Sequence, residues 1–299
     1  RVRVYVPSDF PVTDIVSLNI DCDLDLSTLQ VMNDVDVIFS PKLNWSGTAT
    51  KCDIFCNNKS VRLGWDLYKA LGYVEIHNHR FIDVGNSVEG TSADYFNAFR
   101  ISHANIKKLD LHHPALINSY VKPNAVVGDQ NGTNRLLNVE GTLGTGSFAS
   151  DINIFHPFAK NMQTEEDSDG LVINLGVSSV VNAVFNIDIV GGKYLEMYRR
   201  AVKIIGHELN ASGIRFSGAM EMTGAGPNPW AAIDISGYVH VEWDDTVKTS
   251  GWVQDLYVWG GAWLTGKMRV IFAKDTVKII GGNSRRGFVC EQGLTPAAR

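Results

Sequence analysis

The amino-acid sequence predicts a mainly β protein, an antiparallel jelly-roll-like β-sandwich in two sandwich units with a few short helices. Apolar and polar residues alternate with a period of two along the whole chain, glycine-rich corners separate these runs, and helical periodicity is confined to two segments. Val239, Val241 and Trp243 share one face of such a strand. His240 and Glu242, which lie between them, share the other face. Many short strands with long connections favour antiparallel sandwiches over a βαβ sheet.

Two segments are predicted to be helices, one near 92–108 and one near 193–209. The first begins with a capping-box pattern from Thr91 to Asp94, in which side-chain oxygens accept hydrogen bonds from the free amides of the first turn. The second has basic residues on its outer face and places apolar residues at helical spacing on the other: Tyr194, Met197, Ala201, Ile204 and Ile205.

The run from Thr164 to Gly170 is the most acidic and least apolar part of the chain. The simplest interpretation of this run is a solvated loop, and the alternative is a connection between two domains. We therefore expect a first β-sandwich unit at 1–163, with the helix near 92–108. The second β-sandwich unit is expected at 170–299, with the helix near 193–209.

Composition excludes several classes of protein. The 299 residues carry a formal net charge of -5, which argues against a protein that mainly grips nucleic-acid phosphates, so we expect weak or no direct nucleic-acid binding. No apolar run approaches the roughly 20 residues needed to cross a bilayer, and we expect no transmembrane segment. Hydrophobic residues make up 44% of the chain, which is typical of a globular protein with a core.

The strongest indication of an enzyme is the sequence His77-Asn78-His79 after an apolar run, because two imidazoles at a strand end are typical ligands of a hydrolase metal. A metallohydrolase barrel needs eight alternating strand–helix units, which the sequence lacks. It also lacks a complete zinc, calcium or phosphate-loop pattern and a G-x-S-x-G elbow. We therefore predict that the protein is not an enzyme and has no catalytic residue, metal or cofactor, and that the His77 and His79 pair binds no catalytic metal.

Five of the seven tryptophans are concentrated between 230 and 263: Trp230, Trp243, Trp252, Trp259 and Trp263. Such rings form sugar-binding platforms, interface anchors or core. The segment 252–259 carries apolar residues on both faces, so a second surface has to cover it. The sequence therefore predicts an interface between subunits, with these residues at or beside it: Trp252, Tyr257, Trp259, Trp263, Arg199 and Arg200.

Two stretches resemble strands of jelly-roll capsid proteins of icosahedral viruses. Val180 to Gly191 resembles a sheet strand and its exit turn, and Phe39 to Gly47, leading into Thr48 to Phe55, is similar to another strand of those proteins. Two helix-bearing β halves also suit the double jelly-roll class. The resemblance implies a homo-oligomeric structural protein that self-assembles, with copies of itself and other virion proteins, in the host cell cytoplasm into a closed virion shell without an active site.

The sequence thus leaves three functions open. The first is a structural subunit of a viral capsid. The second is a carbohydrate- or receptor-binding β protein such as a phage tail component, which the tryptophans favour. The third is a metal-dependent hydrolase using His77 and His79.

Overall fold

The strand pairs of the protein, in a computed structural model, are parallel wherever the structure describes them. The structure describes residues 24–25, 37–38, 52–60, 63–66, 72–86, 95–102, 106–121, 133–140, 148–163, 168–175, 183–206, 212–226, 229–260, 262–265, 268–272 and 277–281. The first eleven strands are β1 (Leu24–Asp25), β2 (Val37–Ile38), β3 (Cys52–Ser60), β4 (Leu63–Asp66), β5 (Gly72–His77), β6 (His79–Asn86), β7 (Tyr95–Ser102), β8 (Ile106–His112), β9 (Ala115–Val121), β10 (Thr133–Glu140) and β11 (Phe148–Phe155). The others are β12 (Phe158–Gln163), β13 (Asp169–Asn174), β14 (Ala183–Met197), β15 (Arg200–Gly206), β16 (Ser212–Gly224), β17 (Ala231–Gly237), β18 (His240–Ser250), β19 (Gln254–Gly260), β20 (Trp263–Thr265), β21 (Met268–Phe272) and β22 (Val277–Gly281).

These strands form a β-solenoid with two long sheets. One sheet has the order β2-β4-β7-β10-β13-β15-β17-β19-β22, so each strand pairs with the strand one coil later. The other sheet contains two parallel arms that meet at β14: β1-β3-β6-β9-β12 and β5-β8-β11. From β14 onward, β14, β16 and β18 each run through both arms, and β18 pairs with both β20 and β21. We call the β5-β8-β11 side the first arm, the β6-β9-β12 side the second arm and the separate sheet the third arm.

The corner between the first and second arms has the same backbone conformation in successive coils. Asn78, His113 and His156 have φ values of 54°, 53° and 51°, and Gly191 has 62°. This left-handed region is unfavourable for most side chains, and a glycine adopts it without strain. At Gly191 the close approach of the coil before also favours glycine, because an added Cβ would lie 2.7 Å from Nδ1 of His156. The corner turns the chain at one fixed place in each of these coils.

A second left-handed position follows five residues after each of these corners, at Asp83, Asn118, Asn161 and Glu196. Three of these side chains form a ladder along the solenoid: Asn118 Nδ2 donates to Asp83 Oδ1 at 2.8 Å, and Asn161 Nδ2 donates to Asn118 Oδ1 at 2.9 Å. Asparagine and aspartate tolerate this conformation better than other side chains. The extra residue also shifts the strand alternation, so that two buried residues lie three positions apart on either side of it, as Tyr194 and Met197 do.

The predicted antiparallel jelly-roll sandwich is therefore wrong. Each arm of a solenoid packs one face against the core and leaves the other outside, so it produces the same period-two alternation as a sandwich strand. The alternation shows which residues face inward but carries no information about strand direction. The few short helices are wrong as well, as no residue that the structure describes is helical.

The segments predicted as helices are strands. Most of the segment near 92–108 lies in β7 and β8, while the capping-box residues 91–94 lie outside the described residues. The segment near 193–209 lies in β14 and β15 as far as Gly206. Its helical spacing has a local cause, because the left-handed residue Glu196 separates the buried Tyr194 and Met197 by three positions, as one turn of a helix does.

The acidic run 164–170 is described only from Ser168 onward, and Ser168, Asp169 and Gly170 are buried. β12, before the run, pairs with β9 and β14, and β13, after it, pairs with β10 and β15. Described strands from 1–163 and from 170–299 thus contribute to the same two sheets, and the strand pairs described in both ranges are parallel, unlike those of an antiparallel sandwich.

The core is a set of rows in which register partners from successive coils lie one above the other. One row of the first arm is fully buried: Ile76, Leu111, Ile154, Ile189, Phe216 and Trp243. Phe216 and Trp243 stack face to face with ring centroids 3.9 Å apart and an interplanar angle of 6°. Two large aromatic rings therefore occupy adjacent levels of this core.

Trp243→Ala should lower the free energy of unfolding by about 3–5 kcal/mol, because it removes a fully buried ring and leaves a cavity under Phe216. Glu242→Ala is the matched control, since Glu242 is the exposed neighbour in β18 and its loss should change stability by less than about 0.5 kcal/mol. Chemical denaturation of both variants measures the difference. Equal stabilities of the two variants would contradict the inward placement of Trp243.

Candidate functional site

The chain passes from the second arm into the third arm at a corner where Arg199, Trp230 and Val253 lie on three successive coils. The amide of Ala231 donates to the carbonyl of Arg199 at 3.2 Å, and the amide of Gln254 donates to the carbonyl of Trp230 at 3.0 Å. These backbone hydrogen bonds fix the three residues one above another. Residues separated by more than twenty positions in the sequence are therefore neighbours on the surface.

Three aromatic rings continue from this corner over the outside of the third arm. Trp230 meets Tyr257 edge to face with centroids 5.9 Å apart, and Tyr257 lies 6.2 Å from Trp259 at an interplanar angle of 43°. Leu256 and Val258, which alternate with them in β19, are buried in the core. We call Trp230, Tyr257 and Trp259 the aromatic patch. Its rings are partly exposed, and Trp259 retains 44% of its accessible surface.

A buried ion network lies beside the aromatic patch. Arg200 Nε lies 2.9 Å from Asp234 Oδ2, and Arg200 Nη1 lies 3.3 Å from Asp169 Oδ1. Lys203 Nζ is 4.0 Å from the other oxygen of Asp169. Asp169 is fully buried and Asp234 is nearly so, and the cations supply the ion pairs and hydrogen bonds that offset the cost of removing carboxylates from water.

The ion network also orients the patch. Asp234 Oδ1 accepts a hydrogen bond from Nε1 of Trp259 at 3.1 Å, while its other oxygen is held by Arg200. Asp234 and Tyr257 are register partners in neighbouring strands. Arg200 thus holds one oxygen of Asp234, and the other oxygen of Asp234 holds the indole of Trp259, the most exposed ring of the aromatic patch. This pre-organisation reduces the conformational entropy that the ring would lose when it binds a ligand.

Arg199 and Arg200 are consecutive but have different surroundings. The guanidinium carbon of Arg199 lies over the ring of Trp230, 5.6 Å from its centroid, in a cation–π arrangement. Nε of Arg199 is buried and has no hydrogen-bond partner among the described residues. Arg200 is bound between two carboxylates, whereas Arg199 rests on an aromatic face.

The structure places five of the six predicted interface residues in three different surroundings. Tyr257, Trp259 and Arg199 belong to one surface, and Arg200 belongs to the ion network beneath it. Trp252 is buried and donates from Nε1 to the carbonyl of Met222 at 3.1 Å. Trp263 lies in β20, with its side chain outside the described residues.

Sequence reasoning missed three residues of this surface as site residues: Trp230, Asp169 and Asp234. Trp230 directly precedes β17, Asp169 begins β13 and Asp234 lies in the middle of β17. Only the register of the solenoid brings them to Arg199, Arg200 and Trp259. Two consecutive arginines, Arg199 and Arg200, next to an apolar run indicate a polar corner at this place in the sequence. Nothing in the sequence states which carboxylates face it, because that depends on the length of each coil.

The histidines lie at the opposite corner, between the first and second arms. His77 stacks on His112 with centroids 4.1 Å apart, and His113 lies 5.3 Å from His156 on the next coil. His79 is fully buried, whereas His77 is partly exposed, because the left-handed Asn78 turns the chain between them. In the part of the chain that the structure describes, no group of three histidine, cysteine, aspartate or glutamate side chains is arranged to hold a metal ion.

Burial, and to a smaller extent the charge of the nearby His77, lower the pKa of His79 from the ordinary 6.5 to about 4. The unfolded chain therefore binds a proton more readily than the folded chain between these two pH values. The resulting stability is complete above pH 6.5 and is lost as the pH falls toward 4.

We expect the free energy of unfolding of the wild type to fall by about 3 kcal/mol more than that of His79→Gln between pH 7 and pH 4, because glutamine does not titrate. Carboxylates titrate in both proteins, so the difference isolates His79. Denaturant unfolding across this range is the measurement, and parallel curves for wild type and His79→Gln would be the contrary result.

The chain matches no protein-family model, and comparisons with curated proteins and with solved structures found no similar protein. Among the described residues, no helix is long and apolar enough to cross a membrane. The geometry of the aromatic patch and its neighbours is therefore the basis for assigning a function.

Proposed function

We propose that the protein is a glycan-binding β-solenoid and that the aromatic patch is its binding surface. One observation carries the proposal: Trp230, Tyr257 and Trp259 lie next to one another on the outer side of a parallel sheet, within reach of a fixed carboxylate and an arginine. Sugar rings have apolar faces of C–H groups and polar edges of hydroxyl groups. Aromatic rings beside hydrogen-bonding groups match both parts of a sugar.

The regularity of the solenoid supports an extended ligand. Neighbouring coils are separated by the strand spacing of ~4.8 Å, so residues on successive coils form contact points at constant intervals. Trp230 and Tyr257 occupy consecutive coils. A polymer of sugar units that crosses the coils would meet one side chain after another at nearly the same spacing.

The subunit interface predicted from the sequence depended on a strand that needs covering on both faces. In β19 one face, with Leu256 and Val258, is covered by the core of the same chain. The other face carries the partly exposed rings of Tyr257 and Trp259 beside an ion network, whereas an obligate interface is larger and more continuously apolar. The capsid-subunit hypothesis depended on a jelly-roll fold, and the observed parallel β-solenoid gives it no support.

Trp259→Ala should weaken glycan binding about tenfold or more, since the most exposed ring of the patch is lost. Tyr238→Ala is the matched control, because Tyr238 is 60% exposed but lies in the turn between β17 and β18 rather than in the aromatic patch. Isothermal titration calorimetry is the measurement. The probes are hexasaccharides of galacturonate, mannuronate and hyaluronan, each as the free acid and as the neutral methyl ester.

Binding by the wild type and by Tyr238→Ala, with loss in Trp259→Ala, is the expected result. If no probe binds, or if both variants lose affinity equally, the aromatic patch is not a glycan site. Size-exclusion chromatography of the same samples tests the alternative, because a surface that serves as a subunit contact would produce oligomers that Trp259→Ala dissociates.

A further inference from the structure

The positive charge of Arg199 is not matched by a carboxylate in the described part of the chain. Asp234 and Asp169 are both held by Arg200, and Asp169 also has Lys203 at 4.0 Å. Arg200 and Lys203 are thus the cations that contact these two carboxylates in the ion network. Arg199 remains outside the ion network, with its guanidinium over the ring of Trp230.

The position of Arg199 differs from that of an ordinary surface arginine. Its guanidinium lies against an aromatic ring, which keeps the side chain in place, and its Nε is buried without a hydrogen-bond partner among the described residues. A surface arginine in water loses side-chain entropy when it forms an ion pair, and this loss reduces the gain. A guanidinium that is already oriented by a ring loses less, and its planar fork matches a carboxylate.

We propose that the aromatic patch takes glycans made of carboxylate-bearing sugars and that Arg199 binds the carboxylate. This inference rests on the proposed glycan-binding function and names the class of ligand. A sugar ring stacked on Tyr257 presents its substituents at its own edge, and the guanidinium of Arg199 lies over the neighbouring ring of Trp230, whose centroid is 5.9 Å from that of Tyr257. The aromatic patch then binds the ring, and the arginine discriminates between an acid and a neutral sugar.

Electrostatics within the site favour this class of ligand. The carboxylate of Asp234 would repel an acidic sugar if it were exposed, but it is buried and its two oxygens accept from Arg200 and Trp259. An incoming carboxylate therefore meets a cation whose charge is available and an aspartate whose charge is compensated. A charge-assisted hydrogen bond of this kind contributes about 1.5–3 kcal/mol, which corresponds to about tenfold or more in affinity.

The test compares each hexasaccharide as free acid and as methyl ester, which differ in charge but not in backbone. For at least one of the three pairs, wild-type protein should bind the acid about tenfold or more tightly than the ester. In Arg199→Gln this ratio should fall to about one, and Arg199→Lys should keep part of it, because lysine retains the charge without the planar fork. Arg215→Gln is the control, since Arg215 is an exposed arginine on the first arm and its loss should leave the ratio unchanged.

A ratio near one in the wild type, with both forms weakened by Trp259→Ala, would overturn this inference and leave the proposed function intact. A preference for the acid that persists in Arg199→Gln would also overturn it. If neither form of any pair binds, the proposed function fails and this inference with it. Thermal unfolding of each variant confirms that Arg199→Gln and Arg199→Lys are folded before titration.

Discussion

The in-register stacking of parallel coils is the constraint on which the rest of the structure depends. At the corner between the first and second arms, the amide of Asn78 donates to the carbonyl of His112 at 2.7 Å, and the amide of His113 donates to that of Phe155 at 2.7 Å. Each corner thus sets the position of the next one. Because these corners fix the register between neighbouring strands, each side chain lies above a defined residue of the previous coil. This holds for the core and for the outer surface.

The same register determines which side chains of successive coils contact one another. Inside, it places Phe216 on Trp243, and outside it places Asn118 on Asp83. At the other corner it places Arg199 beside Trp230, although the chain makes a whole coil between them. The candidate site therefore depends on the number of residues in each coil, because one residue more or less between two corners would move an aromatic ring to another row.

The sequence correctly predicted which side chains of a strand are buried, but it did not predict that paired strands are parallel. Val239, Val241 and Trp243 are buried while His240 and Glu242 are exposed, as the alternation predicts. Alternation reports only the two faces of a strand, and parallel and antiparallel strands share it. Strand direction depends on hydrogen bonds between residues far apart in the chain.

Part of the missing information was present in the sequence. An Asp or Asn follows five residues after each of the corners Asn78, His113 and His156, and this spacing marks the two left-handed positions of a coil. Two of the five tryptophans between 230 and 263, Trp230 and Trp259, lie in the aromatic patch. The partners Asp169 and Asp234 could not be assigned, because pairing across coils requires the length of every turn between them.

Distances between nitroxide labels at backbone positions that share one register row test the stacking most directly. Tyr73, Lys108 and His240 are in register on the first arm, with His240 four strands from Lys108 and five from Tyr73. Cysteines introduced as Lys108→Cys with His240→Cys, and Tyr73→Cys with His240→Cys, in a chain whose native cysteines are replaced by serine, can be labelled and measured by double electron–electron resonance. The stacked solenoid predicts backbone separations of ~19 Å and ~24 Å, one strand spacing apart. Separations that do not increase by one strand spacing between the two pairs would contradict it.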